Sequence, residues 1–195
     1  MKKHWCLYLG FLTPTVFWLC IIICGLIMGN YNHTTRLVCE LGSIGTKTQY
    51  FFTLSLVLCA VLSVLFIIGL YKTAKLNGLN TIPILLILSF PFSICGAALF
   101  PLPMKLHGIL GLPSLLLLLS PIAALLLWKT EKISSINYFS LLTLSVMLLG
   151  FSVYKPNFLS EYDGLKQRFF HIGWTIWFIY LSIVFMQFKK KLKKE

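Results

Sequence analysis

Apolar residues gather in six long windows along the chain, with short polar stretches between them. The windows run Trp5–Met28, Phe51–Tyr71, Ile82–Phe100, Ile109–Trp128, Ile136–Val153 and Phe169–Phe188. An α-helix rises about 1.5 Å per residue, so each window is long enough to cross most or all of a hydrocarbon layer about 30 Å thick. A segment inside that layer must satisfy its own backbone hydrogen bonds, and helices do this. The pattern therefore predicts an all-α integral membrane bundle of six transmembrane helices, forming one domain over residues 1–195 with no room for a soluble domain.

Proline and glycine mark where these helices depart from regularity. Pro83 falls in the first turn of the third window, where a missing N–H costs nothing, whereas Pro91 and Gly96 predict a bend further along. Pro101 and Pro103 call for a tight, extended turn, and Ser120-Pro121 predicts a kink in the fourth helix whose freed carbonyl needs another partner.

Composition agrees with the pattern. The chain is 58% hydrophobic and 11% charged, with mean hydropathy +0.87, against about 25% charged residues in a soluble domain. Its net charge of +12 could suggest nucleic acid, but the distribution follows a membrane. If the N-terminus is cytoplasmic, that side holds eleven basic residues: Lys2, Lys3, Lys72, Lys75, Lys129, Lys132, Lys189, Lys190, Lys191, Lys193 and Lys194. The other side holds six, Arg36, Lys47, Lys105, Lys155, Lys166 and Arg168. By the positive-inside rule both termini are expected in the cytoplasm, in a bacterial inner (plasma) membrane. No nucleic acid partner is implied. The expected partners are membrane lipids, with the Lys189–Lys194 tail as a stop-transfer signal that also suits anionic lipid of the inner leaflet.

Four of the six cysteines, Cys20, Cys24, Cys59 and Cys95, fall inside windows, and Cys6 lies at the inner end of the first. Only Cys39 is in an outer loop, so the cysteines read as packing residues rather than a disulfide framework.

Candidate chemistry concentrates on one side. The stretch Gly164–Trp174 carries hydrogen-bonding groups directly into the last apolar window, which a bilayer tolerates only if they find partners or water. At 100° per residue Gln167, His171 and Trp174 share a face, with Arg168 and Thr175 on its flank and Phe170, Ile176 and Trp177 turned away, toward lipid. In the first outer loop His33, Arg36 and Glu40 would share a face of a short helical turn. Glu40 can pair with Arg36 in an interfacial helix, or with Arg168 among the helix ends, and the Glu40–Arg168 pairing is the one predicted. Lys105 and His107 enter at the start of the fourth helix.

The leading expectation is a non-catalytic lipid-headgroup binding or membrane-organising protein. His33, Arg36, Glu40, Lys105, His107, Gln167, Arg168 and His171 would form its outer-leaflet polar pocket, in which arginine suits phosphate through its planar fork. A metal-dependent intramembrane hydrolase is the alternative, with His33, His107 and His171 as ligands and an acid to activate water. A small-solute transporter and a purely structural bundle also stay open. No cofactor motif is present, and no phosphate-binding glycine loop or nucleophile elbow.

Four blocks carry a family resemblance: Asn32-His33-Thr34, Glu40-Leu41-Gly42, the Pro101–Gly111 turn with His107-Gly108, and Gly164–Trp174 with Gln167-Arg168. Together they resemble a mainly prokaryotic family of six-helix membrane proteins known as domain of unknown function 998. Val38-Cys39 stands where an isoleucine–serine pair is expected from that resemblance. The arrangement is more distantly similar to eukaryotic six-helix proteins of the Frag and Sfk type, which implies lipid organisation or lipid-anchor remodelling.

Overall fold

The computed structural model describes residues 5–128, 133, 135–154, 158–159 and 161–191, and among them helix is the only regular secondary structure. The α-helices are α1 (Trp5–Met28), α2 (Gln49–Leu76), α3 (Ile82–Leu86), α4 (Ser89–Leu99), α5 (Lys105–Gly111), α6 (Leu119–Leu127), α7 (Ile136–Gly150) and α8 (Asp163–Lys191). Three 3-10 segments, Val38–Gly42, Leu112–Leu118 and Phe151–Tyr154, complete the order. They compose six helices long and apolar enough to cross a membrane: α1, α2, Ile82–Leu99, Lys105–Leu127, Ile136–Val153 and Asp163–Phe188. The chain is an integral membrane protein.

The third and fourth spans break at their prolines, whereas α1 runs on through Pro14 as one helix. Pro91 has no N–H for the Ile87 carbonyl, which accepts from Phe90 N–H at 3.0 Å instead, and Ile87 N–H bonds to Ile84 O at 3.1 Å. The helix tightens there, separating α3 from α4 and leaving Pro83 O without Ile87 N–H. In the fourth span the stretch before Pro121 is wound as 3-10 helix, so α5 and α6 are offset.

Those displaced carbonyls are met from other spans. Ser120 Oγ donates to Pro83 O at 2.7 Å, and Trp177 Nε1 donates to Ser120 Oγ at 2.9 Å. This relay ties the third, fourth and sixth spans together in the middle of the bundle. Ser93 Oγ in α4 donates to Gly111 O of the fourth span at 2.7 Å.

The helix α8 is the hub. It runs antiparallel to α1, with Ser182 Oγ donating to Leu7 O at 2.6 Å and Trp18 Nε1 donating to Thr175 Oγ1 at 3.0 Å. Its rings meet Phe66 of α2 and Phe90 of α4 at centroid distances of 5.3 and 4.5 Å. Against α7 the backbones come close because Gly150 and Gly173 leave room: a Cβ on Gly150 would lie 2.5 Å from Phe170 Cβ. Trp174, Trp177, Phe178, Leu181 and Phe185 are all fully buried, so Trp177 is part of the core and does not face lipid. Helical periodicity separates polar from apolar positions, but lipid and protein core are equally apolar, so it cannot assign an apolar face to one of them.

Residues 30–48 fold over one end of the bundle, called the capped end below. Leu41 is fully buried there, and Thr48 Oγ1 and Thr46 Oγ1 both donate to its carbonyl, at 2.5 and 3.2 Å. Ile44 N–H bonds to Leu102 O at 2.8 Å, joining this loop to the Pro101–Pro103 turn. The first turn of α8 is held by the same loop: Leu165 N–H bonds to Thr34 O at 2.8 Å and Gly164 N–H to Thr35 O at 3.3 Å. Helix N-termini leave such donors open, and here loop carbonyls close them.

Candidate functional site

The candidate residues divide into two groups. The first is a clamp around Arg168, which is 7% exposed. Its Nη1 donates to Gly164 O at 2.8 Å and Arg36 O at 3.1 Å, and its Nη2 to Tyr31 Oη at 2.9 Å and His33 Nδ1 at 3.1 Å. Tyr31 Oη is also within 2.8 Å of Leu37 O and 3.1 Å of Arg36 O, which its hydrogen can reach. Burial raises the Tyr31 phenol above its ordinary pKa, so it remains a neutral donor. Burial first, and the Arg168 charge second, hold His33 below the usual imidazole range, which preserves Nδ1 as an acceptor. The guanidinium thus fastens loop to helix, with neutral oxygen and nitrogen acceptors around it.

Glu40 pairs with Arg36, not with Arg168. Arg36 Nε donates to Glu40 Oε2 at 2.7 Å, and Glu40 Oε1 takes Leu37 N–H at 2.9 Å at the start of the 3-10 turn. Among the described residues Arg168 makes no ion pair. The expected Glu40–Arg168 bridge fails because backbone carbonyls and a neutral imidazole already occupy the guanidinium, while the i, i+4 partner lies closer to hand.

The second group surrounds a cavity of about 340 Å³ at the capped end. Phe17, Phe52, Leu56, Phe90, Ile94 and Leu115 give it an apolar body. His107, Gln167 and His171 line it with Ser93 and Ser114, and among the described residues no Asp, Glu, Lys or Arg does. It exists because the near half of the fourth span, α5 and the 3-10 stretch after it, packs against α4 and away from α8. That half contains α5, which buries no residue, and a Cβ added to Gly108 or Gly111 would meet nothing within 4 Å.

Each polar group on the wall has a definite state. Residue 101 is proline, so Ala97 O lacks the N–H that would complete α4. His107 Nδ1 lies 3.0 Å from Ala97 O and 3.0 Å from Phe100 O, both pure acceptors, and therefore carries the hydrogen. On the opposite wall Trp174 Nε1, a pure donor, bonds to His171 Nδ1 at 3.1 Å, which places the hydrogen of a neutral His171 ring on Nε2. That Nε2 is buried and has no partner. Gln167 Oε1 accepts Val38 N–H at 2.6 Å, turning the amide hydrogens elsewhere. Cys39 also lines the cavity, and burial pushes its thiol up to about 11, so it is neither thiolate nor nucleophile at neutral pH.

Of the eight sequence candidates, His107, Gln167 and His171 therefore share the cavity, whereas His33, Arg36, Glu40 and Arg168 build the clamp beside it. Lys105 is exposed in the first turn of α5 and lines no part of the cavity. The three histidines do not converge, and among the described residues no three His, Cys, Asp or Glu side chains are placed to hold a metal ion. His33 is across the loop, held by Arg168. The side chains of Lys189–Lys194 lie outside the described residues.

Sequence reasoning passed over Tyr31, Ser93, Ser114 and Lys166. Lys166 is fully buried, its Nζ bonded to Asp163 Oδ1 at 2.6 Å and Phe158 O at 2.9 Å. For Ser93 the usable signal was its place two residues after Pro91, in a helix whose neighbour is also irregular.

No curated protein and no solved structure matches this chain. The family model described as a protein of unknown function, DUF998, matches residues 11–184, and with six apolar helices and a capped end built from the family-like blocks, the chain belongs to that family.

Proposed function

We propose that the protein holds a lipid-like amphiphile in the cavity at its capped end and serves membrane lipid handling or organisation, not catalysis. The observation that carries this is the cavity itself: about 340 Å³ of largely apolar space inside a membrane bundle, with a small set of oriented polar groups. Ligand sites have this character, from about 300 Å³ upward. The reading differs from the headgroup pocket expected from sequence in one respect. The arginine that was to grip a phosphate is engaged by the loop, and among the described residues the cavity wall bears no Asp, Glu, Lys or Arg.

We further infer that the capped end faces away from the cytoplasm in a bacterial plasma membrane, in keeping with the basic asymmetry of the sequence, and that the Lys189–Lys194 tail rests on anionic lipid.

The test uses Gly111→Phe. The new ring enters open space at a cavity-lining position. Purified wild-type protein should carry a co-purifying lipid detectable by native mass spectrometry, and Gly111→Phe should lack it at unchanged thermal stability. Equal lipid content in the two proteins would overturn the proposal.

A further inference from the structure

The hydrogen-bond bookkeeping of the cavity wall specifies its occupant more narrowly than its shape does. On the fourth span His107, Gly111 and Ser114 follow one another at helical spacing, and all three line the cavity. Ser114 Oγ donates its single hydrogen to Gly111 O at 2.6 Å. Ser93 Oγ, from α4, donates to the same carbonyl at 2.7 Å. Nδ1 of His107 donates to the carbonyls that end α4.

Each of these groups has used its hydrogen on the backbone. What remains for the cavity is lone pairs, on Oγ of Ser93, Oγ of Ser114 and Nε2 of the His107 tautomer whose hydrogen sits on Nδ1. A ligand at this wall must bring hydrogens. The facing wall offers less. Gln167 has its oxygen engaged by Val38 and its amide turned to the Cys39 thiol, and the unpartnered Nε2–H of His171 is buried behind the cavity surface.

We infer that the cavity selects a neutral amphiphile with a hydroxyl headgroup, such as a long-chain or isoprenoid alcohol or an acylglycerol; this rests on the amphiphile-holding reading above. A hydroxyl has one hydrogen to donate, so it can give it to the serine–histidine wall while its chain fills the apolar body. A carboxylate or phosphodiester has no hydrogen to give and meets three lone pairs with no Lys or Arg among the described residues lining the cavity. An ammonium supplies hydrogens but finds no carboxylate there among the described residues, and a buried unpaired charge is costly. An ether or hydrocarbon fits the apolar body and leaves the acceptors bare.

The experiment places the full chain in phosphatidylcholine nanodiscs with a sixteen-carbon alcohol bearing a tail diazirine, with crosslinks mapped by mass spectrometry. Competitors are the unlabelled alcohol, its methyl ether, the matching carboxylate and the matching alkane. The alcohol should compete at a concentration at least about tenfold below the ether, as expected for one lost hydrogen bond in a dry site. The double variant Ser93→Ala, Ser114→Ala, which leaves His107 as the remaining acceptor, should shrink the alcohol–ether difference while retaining crosslinks to cavity residues.

Failure separates cleanly. Crosslinking no greater than in Gly111→Phe would overturn the amphiphile-holding reading. Cavity crosslinks that alcohol and ether displace equally would leave that reading standing and overturn the hydroxyl inference. Strongest competition by the carboxylate would also overturn it, in favour of an anionic ligand.

Discussion

Arg168 Nη2 donates a hydrogen to His33 Nδ1 across 3.1 Å, joining the sixth span to the first loop through an imidazole that must be neutral to accept. This makes the cap sensitive to acid. Folding holds His33 below its ordinary value of 6.5, so the undocked state takes up the proton first. Stability from this contact is complete above that value and is lost as pH falls through it. Protection factors over residues 30–48, taken against the slower intrinsic exchange at lower pH, should fall on going from pH 7.5 to 5.5, and His33→Gln should flatten the dependence. Pro- or anti-protection in the opposite sense would contradict the assigned acceptor.

The clamp also ranks its own substitutions. Arg168→Lys keeps the charge but cannot reach carbonyls, phenol and imidazole at once. Each charged hydrogen bond is worth about 1.5–3 kcal/mol, so a loss on the order of 2–4 kcal/mol is expected. Glu40→Gln should cost less than about 1 kcal/mol, because the Arg36–Glu40 pair is partly exposed at 41% and 30%. Thermal unfolding in one detergent checks both, and a double-mutant cycle should couple Glu40 to Arg36 and leave Glu40 and Arg168 additive.

Two glycines should respond in opposite ways to the same change. A Cβ on Gly164 would collide with the Arg36 carbonyl and lies 2.9 Å from Arg168 Nη1, so Gly164→Ala should undock the loop. Gly111 has open space around its Cβ position, so Gly111→Ala should be neutral or stabilising by up to about 1 kcal/mol through helix propensity. Melting temperatures of the two variants provide the comparison.

The polar relay in the core offers a further check. Ser120→Ala removes the acceptor of Trp177 Nε1 and the donor to Pro83 O together, leaving two buried groups open at about 1–3 kcal/mol each. Trp177→Phe strands neither Ser120 nor Pro83, whose mutual bond survives. Ser120→Ala should therefore be the more damaging change per atom removed, measured by unfolding in mild detergent.

The sequence was most informative where a bilayer constrains it most. Six spans, the bend before Pro91 and the irregular fourth span all follow from hydrophobic length and missing N–H groups, and the structure has them. The shared face of Gln167, His171 and Trp174 was also legible, since i, i+4 and i+7 positions lie together on any helix. Partner choice was not. Glu40 had two arginines in prospect, and the decision rested on carbonyls of Gly164 and Arg36 that carry no side-chain signal. The serines of the cavity wall were equally silent, because hydroxyls in a membrane helix most often bond their own backbone one turn back. Ser93 crosses to another span only because the fourth is wound as it is.

The hub of this bundle is the last of its six spans to leave the ribosome, and that order shapes biogenesis. Five spans enter the membrane before the helix they all surround exists as a contact surface. Until α8 arrives, Ser120 and Phe66 face lipid or an insertase in place of Trp177 and Phe178. Burial of these groups thus waits on α8, and a chain stalled ahead of residue 163 leaves Ser120 without Trp177 and Phe66 without Phe178.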